Sequence, residues 1–74
     1  MENQNRKIAG YRELSQDEID LMNEIKNMGI VLGNMIDGLQ SNPDLDQRWI
    51  SIAKTHFQEG LMAATRSVAR PDFF

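Results

Sequence analysis

QSNPD, residues 40–44, decides the fold. Asn42, Asp44 and Ser41 carry short side chains that hydrogen-bond a turning backbone, and Pro43 disfavours helical geometry at the residue before it. The stretch reads as a turn, and on either side of it the apolar residues recur at helical spacing. A short turn between two long helices makes them lie antiparallel and side by side. The expected architecture is therefore all-α: an antiparallel two-helix hairpin forming one domain over residues 1–74. It divides into an N-terminal arm (1–14), a first helix (15–39), the turn (40–44), a second helix (45–70) and a tail (71–74).

Upstream of the turn, the start of the first helix is strongly marked. Ser15 and Glu18 fit the S-x-x-E capping box, Asp17 falls in the first turn where the helix dipole favours an acid, and Leu14 with Ile19 fits a hydrophobic staple. Leu21, Ile25, Met28, Leu32, Met35 and Leu39 then follow alternating steps of four and three, with Met22 and Ile36 widening the stripe. Gly29, Gly33 and Gly38 each cost roughly 1 kcal/mol relative to alanine in a helix. Such a loss suits a place where another backbone comes close. The residues before the cap, MENQNRKIAGYREL, show no sustained period and read as an arm.

Downstream, either Asp44 or Asp46 can cap the second helix, whose apolar positions include Leu45, Trp49, Ile52, Ala53, Phe57, Leu61, Ala64 and Val68. Pro71 ends it after Arg70. Trp49, Phe57, Gly60 and Ala63 read as packing positions, and Met22, Met28, Met35 and Met62 as core.

A 74-residue chain buries only about 60% of its unfolded surface, so it needs a staple. There is no cysteine and only one histidine, which leaves association between copies as the candidate. Ile30, Val31, Trp49, Ile50, Phe57, Phe73 and Phe74 are more apolar surface than one partner helix covers, and exposed patches of that kind usually mark association. A homo-oligomer is expected, with the PDFF tail docked on a neighbour. The chain opens without a signal-sequence pattern and has no apolar run approaching the roughly 18 residues of a membrane span, so the reading is a cytoplasmic protein with no membrane partner. A net charge of −3 works against long nucleic acids, which are held by phosphate neutralisation, but two or three placed cations can still hold a small phosphorylated ligand.

No nucleophile elbow, phosphate loop, H-E-x-x-H pair or cofactor motif is present. His56 falls on the inward side beside Ala53, Phe57 and Gly60, as a packed histidine with a hydrogen-bond partner. Glu18 and Glu24 are explained by capping and solvation rather than as an acid/base pair. The cations say more. An antiparallel hairpin brings Arg66 and Arg70, four apart on one helix face, towards Tyr11 and Arg12, either as a solvated edge that offsets the helix dipole or as a binding surface. Lys26 is the only basic residue between Arg12 and Arg48. It lies eleven residues past Ser15, roughly 16 Å along the axis, whereas Tyr11 precedes the cap. Unless the arm folds back, the two reach one ligand only from different chains. Tyr11 is then either a packed arm residue or a stacking platform for a base, with Lys26 as a phosphate partner.

The second half resembles a family of small phage proteins, the anti-CBASS cyclic-nucleotide sponges. The match is carried by Asp46, Arg48 and Trp49 (DxRW), by Ile52 to Ala63 (IAKTHFQEGLMA), and by Arg66, Val68, Ala69, Arg70 and Pro71. The first half agrees at Gly10 to Arg12, Leu14 and Ser15, and Ile25, Lys26 and Gly29. The hairpin also occurs fused within larger proteins, and the length here fits the stand-alone form. The resemblance implies a homohexamer that binds cyclic dinucleotides such as 3′,3′-cGAMP between protomers, and cyclic trinucleotides at separate sites, without cleaving them. The host's CBASS effector then stays unactivated. It further implies Tyr11 as the stacking tyrosine and Lys26 as the phosphate-side lysine, and offers Arg66 and Arg70, with Arg12, for trinucleotide or phosphate contacts. The protein would act in the cytoplasm of the infected cell with no cofactor and no metal. Two other readings stand beside this one: an adaptor hairpin whose apolar face binds another protein, and an enzyme degrading cyclic nucleotides, for which the catalytic groups are missing.

Overall fold

The computed structural model describes residues 13–72. They form two helices, α1 (Gln16–Gln40) and α2 (Gln47–Ala69), packed against each other as a hairpin. Tyr11, Arg12, Phe73 and Phe74 lie outside the described residues.

At the head of α1 the capping box is complete. The Ser15 hydroxyl oxygen accepts from the Glu18 N–H at 3.2 Å, and a Glu18 carboxylate oxygen accepts from the Ser15 N–H at 2.8 Å. Two backbone donors that the helix geometry leaves unpaired are thereby satisfied, a gain of about 1 kcal/mol over an alanine cap. The helix then runs unbroken for 25 residues through all three glycines.

The turn closes by short-range bonds centred on Asn42. Its carbonyl accepts from the Leu45 N–H at 3.2 Å and from the Gln47 side-chain amide at 3.0 Å, while its own side-chain oxygen accepts from the Asp44 N–H at 3.0 Å. Ser41 ends α1 by donating both its N–H and its hydroxyl to the Asp37 carbonyl. Asp46 caps α2, accepting from the Trp49 N–H at 3.2 Å. The second helix therefore starts two residues later than the apolar pattern suggests, because Asn42 and Asp46 hold the intervening backbone in a turn.

The seam between the helices is rotated from the stripe expected for α1. Ile36, 3% exposed, and Ile50, 7% exposed, are the buried residues among those described. Met22, Ile25, Gly29, Leu32 and Leu39 continue the inward line, while Leu21, Met28 and Met35 stand on its outer flank. Gly29 shows why: a Cβ built there would lie 3.4 Å from the Leu61 side chain, so the missing side chain seats a leucine from α2. No such neighbour lies within 4 Å at Gly33 or Gly38.

Two further expectations are corrected in the single chain. Trp49 is 60% exposed and Met62 70%, so neither is core. Ile50, the next residue, takes the inward position beside the cap, which turns the Trp49 ring outward to lie 5.5 Å from the Arg48 guanidinium. Gly60 and Ala63 are likewise exposed.

Candidate functional site

The two ends of the hairpin differ in filling. Towards the end where α1 begins and α2 ends, the helices part around a groove of about 780 Å³. Met22 and Ile25 from α1 and Leu61 and Met62 from α2 give it an apolar lining. Gly29 and Ala69 are too small to fill it.

Its polar groups come from both helices. Asn23 and Lys26, three residues apart, share one face of α1, and Thr65 and Arg66 line the groove from α2. A single chain thus brings together Lys26 and Arg66, which the sequence places on separate helices and assigns to different ligands. The combination suits a small anionic ligand with planar apolar faces. The two cations match phosphate, the amide and hydroxyl both donate and accept, and the apolar lining accommodates rings. Asn23 and Thr65 were not singled out from the sequence, although the helical spacing from Lys26 and the adjacency to Arg66 carry the signal.

Arg70 stands elsewhere. Its guanidinium donates to a Glu18 carboxylate oxygen at 2.9 Å, joining residues 52 positions apart across the open end. The pair is anchored on the Glu18 side, whose side chain is 18% exposed against 66% for Arg70. Arg70 also terminates α2 in the left-handed conformation, φ 43° and ψ 62°, with its N–H donated to the Arg66 carbonyl at 2.8 Å. A non-glycine residue adopts that conformation at a cost of roughly 1–2 kcal/mol. The turn it makes brings Pro71 to the edge of the groove.

A smaller groove of about 350 Å³ continues past Gly29 and Leu61, where Lys54 and Asp37 supply opposite charges and so no net positive charge for an anion. His56 is corrected from its inward assignment. Its side chain is 73% exposed on the outer face of α2, with Nδ1 3.4 Å from a Glu59 carboxylate oxygen. The seam on α2 runs through Ala53, Phe57, Leu61 and Ala64, and position 56 falls off it. Among the described residues, no three acidic, histidine or cysteine side chains gather as a metal-binding group. None of the described helices is long and apolar enough to cross a membrane.

Known proteins share this chain's sequence over nearly its whole length. The profile of the Acb2/Tad1 hairpin domain matches residues 4–69. The chain is also similar to Anti-CBASS protein 2 of Pseudomonas phage JBD67, at 37% identity covering 97% of this chain and 98% of that protein.

Proposed function

The chain belongs to the Acb2/Tad1 hairpin family, and from that membership we propose that it is a phage anti-CBASS sponge. It binds and sequesters cyclic dinucleotides such as 3′,3′-cGAMP, together with cyclic trinucleotides, without cleaving them. The host effector is then deprived of its messenger in the cytoplasm of the infected cell. The observation that carries this reading is the groove lined by Lys26 from α1 and Arg66 from α2 together with apolar side chains, in a chain 37% identical to an anti-CBASS protein. Its size lies within the range of about 300–1,000 Å³ typical of small-ligand sites.

The working form is a homo-oligomer, a hexamer in the proposal. Support comes from the exposed apolar residues Ile30, Val31, Met35, Trp49 and Met62, more than a 74-residue monomer has reason to leave in water. A cyclic dinucleotide carries two bases and two phosphates, and a twofold pocket between protomers supplies one Tyr11 and one Lys26 to each half. Base stacking is worth about 1–3 kcal/mol per base, so two tyrosines contribute several kcal/mol before the phosphates are counted. Arg66 lines the same groove from α2 and adds a second positive charge to its wall.

Calorimetric titration with 3′,3′-cGAMP, followed by denaturation of the complex and chromatography of the released ligand, tests the proposal. Tight binding with intact ligand recovered is expected, and Tyr11→Ala or Lys26→Ala abolishes it while the oligomer mass is unchanged. Degraded ligand would identify an enzyme. No binding of cyclic di- or trinucleotides would leave a hairpin whose exposed apolar face binds a protein.

A further inference from the structure

We propose that Glu18 is a positioning residue for the ligand groove, acting through Arg70; the inference rests on the sponge reading above. One Glu18 carboxylate oxygen accepts from the Ser15 N–H at 2.8 Å and the other accepts from Arg70 at 2.9 Å. A single side chain thereby ties the point where the arm joins α1 to the point where α2 ends. Arg70 holds an unfavourable left-handed turn, and the residue it delivers, Pro71, lines the groove with Lys26 and Arg66. Left-handed non-glycine residues persist where their surroundings over-determine them. Here the determinants are the Arg66 carbonyl and the Glu18 carboxylate. Arg70 accordingly serves the site from behind, by fixing a wall, rather than by touching phosphate.

Two variants of the full chain test this. Glu18→Gln keeps an acceptor for the Ser15 N–H, since glutamine also serves the capping box, but removes the negative charge that Arg70 pairs with. Arg70→Gln removes the other end. Each is expected to weaken 3′,3′-cGAMP binding by roughly tenfold, as loss of a supporting partner does behind ligating groups at metal sites. The double variant should be no weaker than either single one, because one linkage is broken in all three. Oligomer mass and helical circular dichroism should stay at wild-type values, and affinity is measured on the folded fraction, which a role confined to stability would leave unchanged. Should Glu18→Gln fail to fold, the salt dependence of Arg70→Gln carries the test: loss of a positioning residue lowers the affinity and leaves its salt dependence at the wild-type value, whereas loss of a phosphate contact also flattens that dependence and overturns the proposal. A loss in Arg70→Gln with unchanged or tighter binding in Glu18→Gln would show Arg70 to be a ligand contact released from its partner, and overturns the proposal. Unchanged affinity in both variants overturns it too. Failure of the wild-type chain to bind is a distinct result, which removes the sponge reading and this inference with it.

Discussion

The closed and open ends of this hairpin are built on different principles. At the closed end, Asn42, Ser41 and Asp46 satisfy the backbone through bonds no more than five residues long, and the two buried side chains, Ile36 and Ile50, lie within a turn of the adjoining helix ends. At the open end the Arg70–Glu18 ion pair spans 52 residues, beside a groove that the side chains do not fill. The buried apolar side chains lie where the chain reverses, and polar, unfilled surface where the helices end. A binding site benefits from that division, because polar and unfilled surface is tolerated where little of the core depends on it.

The largest expected effect breaks the closed end. Ile36→Ala removes most of the best-buried side chain, and large-to-small core changes of this kind cost about 2–5 kcal/mol. For a hairpin with two buried residues among those described, that is a large share of any stability it has. Thermal melting followed by circular dichroism should show a lower midpoint or no folded baseline. A shift of only a degree or two would mean that contacts between copies, rather than the seam, hold the helices together.

The same contrast explains what was legible in the sequence. The turn and the Ser15 capping box were readable, and the second cap was narrowed to Asp44 or Asp46, because each depends on residues two to five apart. The seam was readable only to within part of a helical turn. Apolar residues surround much of α1, and periodicity put Met28 and Met35 inward, where Gly29 and Ile36 face the partner instead. Gly29 against Leu61 settles that, and a glycine adds nothing to a hydrophobic pattern. Trp49 was read as a packing position, but the Asp46 cap fixes the helix phase and gives the inward position to Ile50. In the candidate site, Lys26 and Arg66 were each visible as cations, but their sharing of a groove depends on the crossing of two helices. The Glu18–Arg70 pair was hidden for the same reason. Tyr11 and Arg12 lie outside the described residues, and their placement remains an expectation from resemblance.

A smaller effect, with an informative sign, comes from the middle of α1. In the single chain nothing lies within 4 Å of a Cβ at Gly33. Alanine there should therefore stabilise the helix by roughly 1 kcal/mol, the propensity difference in a helix interior. A raised melting midpoint is expected if solvent faces this position. If the homo-oligomer brings another copy's backbone against it, the midpoint falls and the mass measured by light scattering drops. The experiment sharpens the comparison by asking whether a third packing region exists between the two ends.

The smallest effect is expected at His56. Its side chain stands 73% exposed, and its nearest charged partner, Glu59, is itself 67% exposed at 3.4 Å. Exposed pairs in a helix contribute little, because water competes for both groups and two side chains must be ordered to form them. His56→Ala should leave the stability of the chain within about 0.5 kcal/mol of wild type, as surface substitutions away from structural features usually do. Its affinity for a cyclic dinucleotide should be unchanged, since His56 lies on the outer face of α2 and Lys26 and Arg66 line the groove. A large loss of stability at low protein concentration would locate His56 inside the seam after all. A loss that appears together with dissociation would instead put the outer face of α2 in an interface between copies, where the exposed Trp49 and Arg48 lie about two turns away along the same helix.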